Sequence, residues 1–313
     1  MLNFVHMPKT AGTSFRIGAE QYFGSCNIAY DYNQEANETS ELVHQYIYGE
    51  NKDPYKFFDA CKDAGITMIS GHVSVDKFIA GCGAANTVTF VRDPVQRIAS
   101  EYSHHVRINS YQGSFEKFYR QNKYRNRQLS VLGNLPVAAY GFIGVTEHYK
   151  ASLSLINHRY GISIPELKLN RAHTKRGMKH DLSSSVVREI SRLNNQDINF
   201  YNRCRSLLME RSRLVAASLP WVHGACSVRG AVVSGWAWWA QSEEPVSIVI
   251  LVNGFQHKIV RAVDFCPPLC RFFVPRRGYV GFRMPLDLKG SDCVDVRVEK
   301  TGQVLLAKAG IAV

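Results

Sequence analysis

FVHMPKTAGTSF, residues 4–15, sets a short apolar strand directly against a Lys-Thr-Ala-Gly-Thr-Ser turn. Phe4-Val5, then Pro8-Lys9 and, past Gly12, a helical pattern predict a strand, a loop and a helix in succession. A loop of this kind gathers backbone N–H groups, here those of residues 10 to 14, at a helix N-terminus whose partial positive charge favours an anion. Thr10, Thr13 and Ser14 add hydroxyl donors around Ala11 and Gly12. In the nucleoside-triphosphate version, G-x-x-x-x-G-K-[ST], the lysine follows the last glycine and a hydroxyl beside it holds magnesium. Here Lys9 precedes Gly12 by three positions, so the loop is a phosphate cradle without the usual magnesium arrangement. The same Gly-Thr-Ser run also suits a helix cap of purely structural purpose.

Further strand-like runs are ITMIS (66–70), NTVTFV (86–91) and FIGV (142–145), and helices are expected from Pro94, Ser114, Glu147, Ser183 and Asp197. Alternation of this sort predicts an α/β domain over residues 1–220, a P-loop-like, mostly parallel sheet flanked by helices. Residues 24–60 are polar and aromatic without a clear period. After Leu219-Pro220 the texture changes to VRGAVVSGWAWWA, PVSIVILVNG, KIVRAV, DVRVEK and QVLLAKAG, with a hairpin signal at Asn253-Gly254. Residues 225–313 therefore read as a small all-β sandwich. In GWAWWA, Trp236 and Trp238 fall on one strand face and Trp239 on the other, so one face is expected in the core.

The chain has 313 residues, enough for two cores, and a formal net charge of +12. Basic residues cluster at Arg120, Lys123, Arg125 and Arg127, and at Arg171, Lys175, Arg176 and Lys179, which points to an anionic partner or to a solvated basic face. The eight cysteines show no paired C-x-x-C spacing, so no metal site and mostly reduced thiols are expected. No apolar run is long enough to span a bilayer, and the first strand starts at residue 2; a cytoplasmic protein is the expectation.

The second informative segment is TFVRDPVQRIASEYSHH, residues 89–105. A buried strand ends at Val91, Arg92 stands at its carboxyl end, Asp93 can cap and Pro94 suits the first helical position. Ligands of open α/β sheets gather outside the carboxyl ends of the strands, where Lys9 and Arg92 would meet. The expected packing stripe of this helix is Val95, Ala99, Tyr102 and Val106, which leaves the Ser100 hydroxyl for a ligand. Arg97 either joins the ligand site or pairs with Glu101 one turn on. His104 and His105 are expected on the surface or on the acceptor side.

PKTAGTS followed some eighty residues later by RDPVQRIASEY resembles the sulfotransferases that use 3′-phosphoadenosine 5′-phosphosulfate (PAPS), in the branch of the uronyl 2-O-sulfotransferases of heparan and chondroitin. The likeness extends to Gly71-His72-Val73, NRQLSVLG, GVTEHY and DINFYNRC, over about residues 2–210. It implies that Lys9, Thr10, Ala11, Gly12, Thr13 and Ser14 hold the 5′-phosphosulfate, that Arg92 and Ser100 hold the 3′-phosphate, and that His72 is the catalytic histidine. Lys175 and Arg176 would close over the cofactor or grip an acidic acceptor. The chain departs from the vertebrate members at Ser70, where they carry a second histidine, and no anchor segment like theirs is expected. The β segment faintly resembles sandwich modules appended to bacterial glycan-modifying enzymes.

On this reading Lys9 stabilises the leaving phosphate without a metal, and His72 takes the proton of a hydroxyl on a glycan acceptor, with Glu20 and Asp31 as alternative bases. A P-loop kinase would need a Lys-Ser/Thr pair after Gly12 and a magnesium-binding aspartate. A nucleic-acid-binding protein would need a recognition module, and none is legible in the basic clusters.

Overall fold

The structure is a computed structural model and describes residues 1–167, 180–289 and 292–310. Internal contacts divide the chain into two compact units. The first comprises Met1–Cys82, Asn86–Val137 and Phe142–Leu208; the second comprises Gly83–Ala85, Ala138–Gly141 and the chain from Met209 onward.

The first unit is built on a five-stranded sheet of β1 (Leu2–Val5), β2 (Ile28–Asp31), β3 (Met68–Gly71), β4 (Thr87–Val91) and β5 (Phe142–Val145), in the order β2-β3-β1-β4-β5. Every neighbouring pair is parallel. The strands are short and almost wholly buried, as a parallel sheet covered on both faces requires. Phe4, Phe15 and Phe90 lock β1, the following helix and β4 together, with ring centroids 4.6 Å apart for Phe4–Phe15 and 5.3 Å for Phe15–Phe90. Each of these rings is essentially fully buried, which stabilises by about 2–3 kcal/mol per side chain. The strand β2 was not visible in the sequence, because its IAYD run has one strongly apolar residue and lies in a stretch without period.

Helix starts follow their caps. Asp53 accepts from the Tyr55 and Lys56 amides ahead of Pro54–Asp63, and Asp93 accepts from the Gln96 amide ahead of Pro94–Ile108, both with Pro at the first turn. The Pro94–Ile108 helix does not bury Val106, which is 42% exposed. Its stripe runs through Val95, Ile98 and Tyr102 to His105, whose ring lies 5.4 Å from Phe118 and 5.8 Å from Tyr124, because the neighbouring aromatic cluster sits on that side. The helix expected from Asp197 starts at Asn195, and the one expected from Glu147 spans Tyr149–Tyr160.

The second unit contains β6 (Val222–Arg229), β7 (Val232–Trp239), β8 (Ser247–Val252), β9 (Phe255–Arg261), β10 (Asp264–Phe265), β11 (Tyr279–Pro285), β12 (Cys293–Val298) and β13 (Val304–Gly310). They form two four-stranded sheets, β10-β11-β7-β6 and β13-β12-β8-β9, antiparallel throughout. Val233, Ala237 and Phe282 of one sheet share a core with Ile248, Ile250, Val294 and Val296 of the other. Trp239 packs against that core and Trp238 is fully buried on the opposite face. All eight cysteines are free thiols. Among the described residues no helix is long and apolar enough to cross a membrane.

Candidate functional site

Between β1 and the Gly12–Phe23 helix the chain turns on two residues of left-handed conformation, Lys9 (φ 68°) and Ala11 (φ 65°), with Thr10 of ordinary hand between them. For residues with a Cβ this costs on the order of 1–3 kcal/mol each, and it turns successive N–H groups toward one side. The Thr10 hydroxyl donates to the Met7 carbonyl at 2.8 Å and is buried, so Thr10 braces the loop and contributes only its backbone to a ligand. Among the described residues no side chain caps the helix: Ala11 stands at the cap position, and no acidic residue occupies the first turn. The amides of Ser14 and Phe15 bond back to the Ala11 carbonyl, which leaves those of Gly12 and Thr13 at the open end. Gly12 is required by close approach, since a Cβ there would lie 2.1 Å from Cδ2 of His6.

Lys9 is half-buried, and burial lowers its pKa, with the charges of Arg107 and Arg92 adding and that of Glu101 opposing. Arg92 donates to the Lys9 carbonyl at 3.3 Å. Ser100 makes no side-chain hydrogen bond among the described residues, and His104 and Arg107 follow it at one and two turns on the same helix face. His104 feels Lys9 as well: burial lowers its pKa and the Lys9 charge lowers it further. Arg92 and Arg107 thus both bear on Lys9, while Glu101, the opposing charge, is itself paired with Arg97; an anion would complete this arrangement.

The turn that carries Arg92 is held from several directions. Gln128 accepts from the Arg92 amide and donates to the Arg92 carbonyl, both at 2.9 Å. Asp197 in turn accepts from the Gln128 and Leu129 amides, at 3.1 and 2.8 Å. Glu147 accepts from the Asp93 amide at 3.0 Å and from the Tyr201 hydroxyl at 3.1 Å. The segments NRQLSVLG, GVTEHY and DINFYNRC therefore converge as a frame for residues 92 and 93.

His72 sits just past β3. Its Nδ1 lies 2.5 Å from the His6 carbonyl oxygen, and a carbonyl can only accept, so Nδ1 carries the proton and Nε2 the lone pair. Its ring faces that of His6 at 4.4 Å and that of Tyr32 at 4.8 Å. Burial lowers the His72 pKa; the bond to the His6 carbonyl opposes this, and the charges of Arg127 and Arg16 add to it. His6 is buried, with Nδ1 3.0 Å from the Tyr32 hydroxyl, and burial pushes it down to about 3, aided by the charges of His72 and Arg16.

Lys9, Arg92 and His72 follow β1, β4 and β3, three adjacent strands, at their carboxyl ends. The alternative bases are engaged: Asp31 is buried against Lys77 Nζ at 2.6 Å and the Tyr48 hydroxyl at 2.8 Å, and Glu20 binds Arg16 at 2.6 Å and Tyr30 at 2.8 Å. Arg97 is fully buried, paired with Glu101 and donating to the Tyr124 carbonyl, so it supports the helix and takes no ligand. Lys175 and Arg176 lie outside the described residues. Sequence reading missed Arg107, whose signal was its spacing from Ser100, and His6, Tyr32 and Arg16; it singled out the segments that hold Gln128 and Asp197 without assigning the brace they form. Among the described residues no group of three or more His, Cys, Asp or Glu side chains is placed to hold a metal ion.

No family model matches the sequence, and no curated protein matches it either. Among solved structures, a crystal structure of a sulfotransferase from Alicyclobacillus acidocaldarius is similar at a TM-score of 0.34 and 16% identity, over 66% of this chain and 95% of that one. A likeness at that level decides neither fold nor function, which rest on the residues themselves.

Proposed function

We propose that the chain is a sulfotransferase that moves the sulfuryl group of PAPS to a hydroxyl of a carbohydrate acceptor. The observation that supports it best is the meeting, at the ends of three adjacent strands, of an uncapped helix N-terminus with Lys9, the Arg92 cation, and a histidine whose Nε2 is left as an acceptor. When bound, PAPS supplies the sulfuryl group, and its bridging oxygen departs with adenosine 3′,5′-bisphosphate. The Gly12 and Thr13 amides, the Lys9 ammonium and the Thr13 and Ser14 hydroxyls would hold the 5′ end, where negative charge builds in the transition state. Arg92, held by Gln128, and Ser100 would hold the 3′-phosphate. His72 Nε2 would take the acceptor's proton as the acceptor oxygen bonds to sulfur, and the lowered pKa keeps the imidazole neutral and ready at neutral pH. The charges of Arg16 and Arg127, which reach His72, suit an acceptor that carries carboxylate or sulfate beside its hydroxyl.

Isothermal titration without magnesium tests this reading against that of a kinase. Adenosine 3′,5′-bisphosphate should bind far more tightly than ATP or adenosine 5′-monophosphate. Equal or stronger binding of ATP, dependent on magnesium, would overturn it.

A further inference from the structure

The sheet β10-β11-β7-β6 breaks the usual rule that a sheet packed on one side is polar on the other. Alternation turns Val233, Ala237 and Phe282 into the shared core, and turns His223, Trp236, Trp238, Phe265 and Tyr279 outward. Half of this outer face is covered. His223 and Trp238 are fully buried and stacked at 5.5 Å, with His223 Nδ1 3.1 Å from the Ala138 carbonyl oxygen and 3.3 Å from Arg211 Nη2. The other half is not. Trp236, stacked on Trp238 at 4.7 Å, is half-buried; opposite it Gly281 has no side chain; and beyond lie Phe265 and Tyr279, a cross-strand pair with rings 5.2 Å apart, each 52% exposed. Two exposed rings in contact beside a half-buried tryptophan, on one sheet face, offer a flat aromatic surface to a partner.

The charges beside the strip indicate which. Arg276, Arg277 and Gly278 are consecutive left-handed residues, at φ 55°, 55° and 87°, a run that L side chains rarely adopt. It brings Arg276 Nε to the Tyr279 carbonyl at 3.0 Å and its Nη1 to the Glu243 carbonyl at 2.7 Å. Arg277 is exposed, and Arg283 is exposed on the same face as Tyr279. Among the described residues Asp264, opposite Gly281, is the one acidic residue that the strand register sets on this face, against Arg276, Arg277 and Arg283. A second copy of the chain pairing along the sheet edge is disfavoured, because β10 at that edge has two residues and templates almost no ladder. A sugar ring offers what the strip matches: a flat C–H face of slight positive potential for the aromatic faces, and, in an acidic sugar, an anion for the guanidinium groups.

We propose that the Phe265–Tyr279 face is a binding site for an acidic polysaccharide chain, independent of the site at Lys9. Sugar rings stack on the two aromatic rings, and Arg277 and Arg283, with Arg276 behind them, meet its carboxylates or sulfates.

The test is affinity electrophoresis of the full chain through gels containing hyaluronate, dextran sulfate or neutral dextran. At least one acidic polymer should retard the protein and dextran should not. Phe265→Ala/Tyr279→Ala should weaken retardation by roughly tenfold or more in apparent Kd, while Phe265→Tyr/Tyr279→Phe keeps it, since the aromatic faces remain. Arg277→Ala/Arg283→Ala should weaken it and flatten its salt dependence. Arg92→Ala should leave it unchanged. The proposal fails if the double alanine variant runs like the wild type, if dextran retards equally, or if binding is lost with Arg92→Ala instead. It also fails if sedimentation shows a dimer that the double alanine variant abolishes, which would make a second copy the occupant.

Discussion

Cutting Arg92 back to alanine removes a cation whose backbone is held by other residues. Gln128 takes both backbone groups of residue 92 and Glu147 takes the amide of residue 93, so the turn should keep its shape. The guanidinium's one side-chain hydrogen bond among the described residues runs to the Lys9 carbonyl at 3.3 Å, and its loss should cost the fold no more than about 1 kcal/mol. The nucleotide should feel much more. A hydrogen bond to a charged group contributes about 1.5–3 kcal/mol, and removing one partner of a buried charge pair costs about 2–5 kcal/mol. Arg92 is half-buried, which sets the expected loss for adenosine 3′,5′-bisphosphate at about 2–4 kcal/mol, or roughly 30- to 1000-fold in Kd. Titration calorimetry without magnesium reads this directly, with adenosine 5′-monophosphate as the control, whose Kd should move less than about threefold. Arg92 is also one of the charges that lower the Lys9 pKa, so its removal leaves Lys9 more firmly protonated and the 5′ contact no weaker. Equal losses for both nucleotides would refute a selective role of Arg92 at the 3′-phosphate and would point instead to its bond to the Lys9 carbonyl. An unchanged bisphosphate Kd would remove Arg92 from the site altogether.

Lys9→Ala should abolish sulfuryl transfer and weaken bisphosphate binding, whereas His72→Ala should lower turnover by about 100-fold or more with binding intact; a retained tenth of wild-type turnover would exclude His72 as the base. The acid limb of kcat/KM should have its midpoint below the ordinary histidine value of 6.5, because burial lowers the His72 pKa and the neutral base appears as pH rises through that lowered value; a midpoint above 6.5 would contradict the geometry. His6 makes a separate claim on stability. With its folded pKa near 3 and an unfolded value of 6.5, its contribution is complete above about pH 6.5 and falls away as pH drops toward 3, at about 1.4 kcal/mol per pH unit. Urea unfolding at pH 7 and pH 5 should show this loss in the wild type and a shallower one in His6→Phe; equal slopes would show that His6 is not held neutral by the fold.

Much of the first unit was legible because its strands are short apolar runs that stop at charged or glycine-rich turns. FIGV became β5 residue for residue, and Pro94 behind Asp93 opened a helix where a proline and a capping carboxylate must. The strand β2 was hidden for a physical reason: its Asp31 is buried and neutralised by Lys77, and a pair formed across 46 positions of sequence leaves no local pattern. The stripe of the Pro94–Ile108 helix was misread by one residue near its end, since Val106 is the more apolar side chain but His105 is the one that faces Phe118 and Tyr124.

The candidate site shows the same division between what is local and what is not. The Lys9 loop and the Arg92 turn each announce themselves in a dozen consecutive residues, and the structure places them side by side through one hydrogen bond. What orients them is assembled from afar. His72 owes its tautomer to the carbonyl of His6, 66 positions earlier, and Arg92 owes its backbone position to Gln128, itself fixed by Asp197 another 69 positions on. A backbone carbonyl has no residue type to read, and a buried glutamine looks in sequence like any surface polar residue. The consequence for mutagenesis is specific: Gln128→Leu removes no group from the site and leaves Asp197 its two backbone amide donors, yet it strands the Arg92 amide and carbonyl. It should weaken bisphosphate binding without altering the acid limb set by His72. If Gln128→Leu instead shifted that limb while sparing the bisphosphate, the frame around residues 92 and 93 would be serving the base and not the nucleotide.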